Sequence, residues 1–523
     1  MASSFYSAAA MLGLDRCPEA LKALDQISNW GSDNPQYQAM RGDAFVGVKD
    51  FDSAVDAYRR CVALGGRTEA VLRNLGNALL KDRRYREAQA ILNDLACEYP
   101  TSALGLSSLS NAYYELELID EAKHWAQAAI DLNPTLSEAW LNLSRALLQS
   151  GEYDKALAAC EKAIKLDPRN SGALANLGIL EQYRQHWPEA RYCLTKAFQM
   201  SREAEDGLNL AALLLELGDF DAAWPHYELR KKGPGFRSRQ VQHQHMKSWD
   251  GQITDQPIVL WGEQGIGDQI LFMSCLPEIL DRGATIILDI DVRLQSLIKS
   301  SFPKIVFYGD VEPRQANECL QAPLGDLLKY FRKSLSDFPV TRSAYLNPIR
   351  DSEILEKRFI PKSSPRCAVS WRSGRRLHGI HKSLDLNFLL KVLSTEDVEI
   401  FNVQYGEESS KDFLQACADT GVRGRVISEF DVTNDFEAMA AFLKTCDVVV
   451  SSSNSLLHLS GSVGANTIGI LPSMQSSFWY WHRPLEFTPW YPTVHRLWTK
   501  QQGTFDPQEF RTVFRGLIGR RHD

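Results

Sequence analysis

Three short segments of the 523-residue chain gather residue types able to do chemistry. The first is Gly262-Glu263-Gln264-Gly265-Ile266-Gly267-Asp268, set between an apolar run and an amphipathic stretch. Gly265 and Gly267 let a ligand approach the backbone, and free N–H groups at the start of the next helix attract an anion. Asp268 opens that helix. It suits either an N-cap that complements the helix dipole or an ionisable group in a site. The second segment is CAVSWRSGRRLHGIHKSLDL, where an apolar run ending at Trp371 delivers Arg372, Ser373, Gly374, Arg375 and Arg376, then Lys382 and Ser383. Cations gathered at a strand end suit a diphosphate leaving group, whose charge grows in the transition state. A solvated basic loop has the same composition. In the third, CDVVVSSSNSLLHLSGSVGANTIGILP, the polar turn of Ser452, Ser453, Asn454 and Ser455 precedes a helix carrying His458. Hydroxyl and amide groups followed by a helix N-terminus suit a phosphate, whereas His458 taken alone reads as structural.

Other clusters invite chemistry less strongly. Asp289 and Asp291 stand two apart and would share one face of a strand, which permits a metal but equally fits a sheet strand needing no ion. His243 and His245 are poorly spaced for helical metal ligands and fall in a polar stretch read as a solvated linker. Trp479, Trp481, Trp490 and Trp498 crowd the segment FWYWHRPLEFTPWYPTVHRLW. They either stack on a base or sugar or form core or a domain seam, the commoner use.

The elements that must position these residues alternate strand and helix. IVLW at 258, TIILDI at 285 and KIVFY at 304 punctuate helical stretches. A second set runs through CAVSW at 367, EIFNVQYG at 399, DVVVSSS at 447 and TIGILP at 467, with Pro361 to Pro365 as the joint. This is the grammar of two parallel, doubly wound sheets, whose ligands gather at strand carboxyl ends. The first half differs. Alanine recurs every 34 residues at Ala20, Ala54, Ala88, Ala122, Ala156 and Ala190. Small residues recur in register at Ala8, Gly42, Gly76, Ser110, Ser144 and Gly178, and prolines follow at Pro100, Pro134 and Pro168. Each period writes two helices meeting at small residues. A seventh, slipped copy places Leu210, Ala211 and Ala223 33 residues after Leu177, Gly178 and Ala190. Stacked pairs form a superhelix whose groove takes peptide or protein.

Composition narrows the class. Length suggests three or four domains. The net charge of −7 offers no general attraction for nucleic acid or anionic membrane. No run is long and apolar enough to span a bilayer, and the opening segment lacks a basic n-region, reading instead as a repeat helix. Ten cysteines without a CxxC pair argue for reduced thiols in a cytosol.

The repeat columns resemble the tetratricopeptide repeat, giving an α-solenoid over 1–230 and a linker over 231–254. The remainder resembles the glycosyltransferase B (GT-B) α/β fold, with Rossmann-like lobes at 255–360 and 361–523 and a C-terminal tail crossing between them. The string around Gly262–Asp268 is similar to the first loop of heptosyltransferase-like glycosyltransferases, especially those fused to tetratricopeptide repeats. That resemblance implies that Asp268 is the general base. It also implies that Gln264, Gly265, Gly267, Arg372, Lys382, Ser383, Gln404, Ser453, Asn454, Ser455 and His458 bind the donor. The chain departs from the family at Ser453, where many relatives have Asp, and at Asn454, where they have Thr. The implied function is an inverting transferase, with no metal and no cofactor. It would move sugar from a nucleotide-sugar to a protein held by the repeats, as in O-linked N-acetylglucosamine and flagellin glycosyltransferases. Two alternatives remain: a heptosyltransferase-like enzyme acting on glycan or lipid, and a non-catalytic scaffold.

Overall fold

The computed structural model describes residues 2–14, 16–312, 318–339, 344–348, 364–373, 382–473, 478–500 and 503–519. They form two compact units, Met1–Ser201 and Arg202–Asp523.

The first unit consists of helix pairs: Ala2–Gly13 with Cys17–Asp25, Pro35–Gly47 with Phe51–Ala63, Glu69–Lys81 with Tyr85–Glu98, Ala103–Glu115 with Ile119–Leu132, Ser137–Gln149 with Tyr153–Leu166, and Ser171–Tyr183 with Trp187–Ser201. A single turn of helix, Ser28–Gly31, stands between the first two pairs. The alanine column from Ala20 to Ala190 is wholly buried. A Cβ on Gly42 would lie 2.5 Å from Tyr58, on Gly76 2.5 Å from Leu92 and on Gly178 2.6 Å from Leu194, so only glycine allows the helices this close. Where the column holds serine, the hydroxyl compensates its own burial. Ser110 Oγ donates to the Ala122 carbonyl at 2.8 Å and Ser144 Oγ to that of Ala156 at 2.6 Å. The turn inside successive pairs uses a left-handed residue at Lys49, Arg83, Glu117, Gly151 and Gln185. Only one of these is glycine, so the sequence marks the turn by period rather than by residue type.

Elements of the second unit are numbered from its start. Its helices are α1 (Ala204–Glu216), α2 (Phe220–Tyr227), α3 (Pro234–Gln240), α4 (Ile266–Phe272), α5 (Leu276–Asp281), α6 (Gln295–Ser301), α7 (Asp326–Phe331), α8 (Leu386–Leu393), α9 (Glu407–Thr420), α10 (Phe436–Thr445), α11 (Ser455–Ser462) and α12 (Pro507–Gly519). Strands β1 (Lys247–Ser248), β2 (Ile258–Trp261), β3 (Ile286–Asp289), β4 (Val306–Phe307) and β5 (Leu320–Pro323) form a sheet in the order β1-β5-β2-β3-β4. Strands β6 (Arg366–Ser370), β7 (Glu399–Asn402), β8 (Gly424–Val426), β9 (Val448–Ser452), β10 (Thr467–Leu471) and β11 (Val494–Trp498) form another, in the order β11-β10-β9-β6-β7-β8. Every pairing is parallel. Uninterrupted apolar strands such as Ile258–Trp261 are therefore buried on both faces.

Three expectations change. The helix pair α1–α2, the slipped repeat, groups with the α/β unit rather than with the array, so the division falls at 201/202 and not at 230. The cause is an aromatic seam. Phe220 meets Phe338 at 5.5 Å and Trp490 at 6.3 Å, and Trp224 Nε1 donates to the Arg332 carbonyl at 2.6 Å. The crowded tryptophans of the tail thus serve as a seam, with Trp481 and Trp490 buried. The stretch 231–254 is no solvated linker either, because α3 and β1 lie in it and β1 pairs with β5. His243 is buried, stacked on Trp261 at 5.6 Å and hydrogen-bonded through Nε2 to Asp289 at 2.9 Å. Finally, β3 ends at Asp289, so Asp291 does not share a strand face with it. Asp291 instead caps the next turn and pairs with Arg293 at 2.8 Å.

Candidate functional site

Helix α4 follows β2 and α11 follows β9, and these two helices meet. A Cβ on Gly267 would stand 2.8 Å from Cδ2 of His458. This contact brings the carboxyl ends of the two sheets together. Beside it lies a cavity of about 110 Å³ lined by Ile266 and Arg293 from the first lobe and by Val403, Tyr405, Phe436, Ser455 and Leu456 among residues of the second. The lobes are joined again at α6 and α10, where Glu437 accepts from the hydroxyls of Ser296 and Ser300.

The Gly262–Asp268 loop is clamped from several sides. Arg239 donates to the Gly262 carbonyl at 2.9 Å. Arg230 reaches Glu263 at 3.0 Å and Asp326 at 2.6 Å, all three side chains being almost wholly buried. Burial pushes the Glu263 carboxyl up against the pull of Arg230. Asp326, though buried, is held below the ordinary carboxylate range by Arg230, Lys231 and Lys329. Gln264 Nε2 donates to Tyr227 Oη at 3.1 Å, so this side chain serves the loop rather than the cavity. Gln269, a residue sequence reasoning passed over, donates to the Gln264 carbonyl at 2.9 Å and accepts from Asp291 N–H at 3.0 Å. Its only signal was an amide in an apolar helical stretch. Gly265 is the exposed N-cap of α4, and Asp268 stands half-buried in the first turn. The Asp268 charge adds to the burial that raises the Tyr227 and Tyr491 hydroxyls above their ordinary range.

On the second lobe the side-chain oxygen of Gln404 serves its own strand end, while its buried Nε2 has no hydrogen-bond partner among the described residues. Its Oε1 accepts from Ser370 Oγ at 2.9 Å, Trp371 N–H at 3.0 Å and Arg372 N–H at 2.8 Å. Asn454 caps α11, accepting from Leu456 N–H at 2.9 Å, while its Nδ2 donates to Ser370 Oγ at 2.8 Å and to the Arg372 carbonyl at 3.2 Å. Ser453 is buried and accepts from Trp481 Nε1 at 3.1 Å, a role for a small neutral oxygen acceptor. Ser455 lines the cavity. Lys382 is buried over the ring of Phe478 at 3.7 Å, and Ser383 Oγ accepts from Ser373 N–H at 3.3 Å. Arg372 does not line the cavity. Its guanidinium pairs with Asp412 at 2.5 Å in a separate hollow that also contains Asp385 and Asp419. The Asp412 carboxylate thus holds this cation away from the cavity. Gly374, Arg375, Arg376 and residues 361–363 of the joint lie outside the described residues. His458 is buried in an aromatic box of Tyr480, Trp481 and Tyr491. Burial, with Lys382 adding to it, pushes its pKa down to about 3, so the ring is neutral. No cluster of metal-ligating side chains occurs among the described residues.

Tetratricopeptide repeat models match residues 39–103, 106–136 and 137–170, so the first unit carries tetratricopeptide repeats. Such repeats typically bind protein partners. Among individual proteins, this chain is 25% identical over 489 residues to Protein FlbA of Caulobacter vibrioides, spanning 88% of this chain and 80% of that protein. The likeness therefore reaches beyond the repeats into the second unit. Hsp70-Hsp90 organizing protein 1 of Glycine max is 30% identical over 102 residues, 20% of this chain and 18% of that protein. Among solved structures, a thermophilic TPR protein of Thermus thermophilus is 22% identical with a TM-score of 0.31, covering 34% of this chain and 98% of that one. That score is too low to compare the two in shape. No described helix is long and apolar enough to cross a membrane.

Proposed function

We propose that the second unit is an inverting glycosyltransferase of the GT-B type, moving sugar from a nucleotide-sugar to a hydroxyl of a protein recruited by the tetratricopeptide repeats. The observation that carries this reading is the meeting of α4 and α11. It sets a half-buried carboxylate, Asp268, at the carboxyl end of one parallel sheet and the buried cation Lys382 near His458 on the other lobe. Asp268 takes the proton of the acceptor hydroxyl as its oxygen bonds to the anomeric carbon from the face opposite the leaving group. The bond from that carbon to the phosphate oxygen breaks, and Lys382 offsets the charge on the departing diphosphate. The adjoining cavity of about 110 Å³, with Tyr405 and apolar walls, has room for a single ring of such a donor.

A thermal-shift screen with UDP-, GDP-, ADP- and CMP-sugars, followed by transfer assays on protein and lipid acceptors, tests the reading. One nucleotide-sugar raises the melting temperature, and Asp268→Asn keeps that shift while losing transfer. If no nucleotide-sugar binds, or if Asp268→Asn transfers at the wild-type rate, the reading fails. The pairing of Arg372 with Asp412 favours the second reading, a non-catalytic scaffold, in which Asp268→Asn leaves biological activity intact.

A further inference from the structure

Among the described residues the wall of the cavity beside α4 and α11 carries one charged side chain, Arg293, which the proposed reaction leaves unused. Its guanidinium is gripped from the side: Nε donates to Asp291 Oδ1 at 2.9 Å and Nη2 to Oδ2 at 2.8 Å. Asp291 is itself fixed, its N–H donating to Gln269 Oε1 at 3.0 Å and its carboxylate accepting from Arg293 N–H at 3.0 Å. The grip of Arg293 holds the Asp291 carboxyl below the ordinary carboxylate range, so it stays ionised. A side-on pairing of this kind leaves the outer edge of the planar fork, Nη1 with the second N–H of Nη2, free to donate. Nη1 has no hydrogen-bond partner among the described residues and is not sealed from solvent. The guanidinium stands 5.8 Å from the ring centroid of Phe436, on the opposite lobe's share of the wall. Thr433 and Ser455 also line the cavity, and their hydroxyls have no hydrogen-bond partner among the described residues.

These walls suit a neutral ring better than an anion. Asp291 already neutralises Arg293, so a phosphate or carboxylate entering between Val403, Phe436 and Leu456 would lose its hydration and meet no net opposite charge. A flat ring buries its faces against the apolar walls and offers an edge acceptor to the free N–H groups. Size narrows the ring further. An apolar cavity of about 150 Å³ takes one benzene, so about 110 Å³ takes one six-membered ring and not a fused pair.

We propose that Arg293 is a specificity-determining residue whose free edge receives the ring carbonyl of a pyrimidine, making this cavity the base pocket for a pyrimidine nucleotide. Cytosine sets its carbonyl oxygen beside an unprotonated ring nitrogen, two acceptors for the two prongs of the fork; uracil offers the carbonyl alone. The hydroxyls of Thr433 and Ser455 donate or accept as needed, so they fit the amine of the one or the second carbonyl of the other. Adenine has no carbonyl, and guanine brings a second ring. The inference rests on the glycosyltransferase reading for the ligand being a nucleotide. Asp291 and Gln269 act here as positioning residues, since they aim the fork without touching the base.

The test is calorimetric titration of the full chain with UDP, CDP, ADP, GDP and inorganic pyrophosphate. Each titration is repeated on Arg293→Lys, which keeps a cation beside Asp291 but has no fork. UDP, CDP or both should bind, with ADP and GDP weaker by about tenfold or more. Arg293→Lys should weaken the pyrimidine nucleotides by about 5–150-fold, the worth of a bidentate contact to a base edge, and leave pyrophosphate unchanged. Tighter binding of CDP places the ring nitrogen on the second prong, and UDP bound as tightly or more so assigns the carbonyl alone; both support the pocket. ADP or GDP binding as tightly as the pyrimidines overturns it, a result read on the wild-type chain whether or not the variant folds. An equal loss of pyrophosphate and pyrimidine binding in Arg293→Lys assigns the residue to phosphate and overturns the base contact. Transfer assays separate this inference from the reading it rests on. Pyrimidine binding without sugar transfer keeps the pocket and sinks the transferase, whereas transfer from an ADP- or GDP-sugar alone does the reverse. If no nucleotide binds, both fall.

Discussion

Gly267→Ala probes the seam on which the proposed site depends. The new Cβ stands 2.8 Å from Cδ2, 3.4 Å from Nε2 and 3.5 Å from Cγ of His458. Carbon atoms in ordinary contact lie about 3.5–4.0 Å apart, so the seam must open by roughly 1 Å. The imidazole cannot swing aside, since Nδ1 is tied to Tyr491 and the ring is boxed by Tyr480 and Trp481. Helix α4 therefore moves, and Asp268 moves with it. Overpacking costs about 1–3 kcal/mol, while alanine in a helix recovers up to about 1 kcal/mol over glycine. The net loss is thus about 0–3 kcal/mol. A displacement near 1 Å at a reacting group costs on the order of 100-fold in rate. Urea unfolding of the full chain, followed by tryptophan fluorescence, measures the first quantity, and initial transfer rates measure the second. The His458→Ala background isolates the cause, because there the added methyl meets no ring and Gly267→Ala becomes neutral or stabilising. Equal stability effects in both backgrounds would refute the steric argument, and so would an unchanged rate in the single variant.

Three further outcomes are expected. Arg230→Met leaves Glu263 buried without its cation and should cost about 3–5 kcal/mol; adding Glu263→Gln should recover part of that loss in urea titrations. His458 and His482 are both held neutral by burial, each with a folded pKa of about 3 against an ordinary 6.5. The unfolded chain therefore binds protons that the folded one refuses. Stability should be complete above pH 6.5 and fall toward pH 3 by about 1.4 kcal/mol per pH unit for each ring, and a flat profile between pH 6.5 and 4.5 in His458→Gln/His482→Gln would attribute the loss to these groups. Glu117 is exposed in a left-handed conformation at φ 68°, so Glu117→Gly should raise stability by up to about 1 kcal/mol, read as a higher melting temperature.

The repeat frame was legible because it is periodic. Ala20 to Ala190 sit every 34 residues and all are buried, so helix faces and small-residue contacts could be located before any coordinates. The parallel sheets were legible from their continuous apolar strands. What the pattern hid is tertiary. Nothing local marks the last helix pair as belonging with the α/β unit, since Phe220 and Trp224 could equally cap a solenoid until Phe338 and Trp490 are brought to them. His243 looked solvated because its neighbours are polar, yet Trp261 and Asp289, far along the chain, give it a stacking face and a hydrogen bond. Of the site residues, Gln404, Ser453 and Asn454 were recognised as important, but their hydrogen bonds turn inward and shape strand ends. Residue type at a strand end shows that polarity is needed there, not whether protein or ligand supplies the partner.

The aromatic seam also dictates how the molecule can be divided in the laboratory. A fragment beginning after residue 230 would strip Phe220 and Trp224 away and leave Phe338, Trp479 and Trp490 uncovered, inviting aggregation rather than an isolated α/β unit. It would also remove Glu216, whose carbonyl holds His482 and whose carboxylate faces Arg483. A cut at Ser201 keeps that surface dressed, because Phe220, Trp224 and Glu216 stay with the unit they pack into.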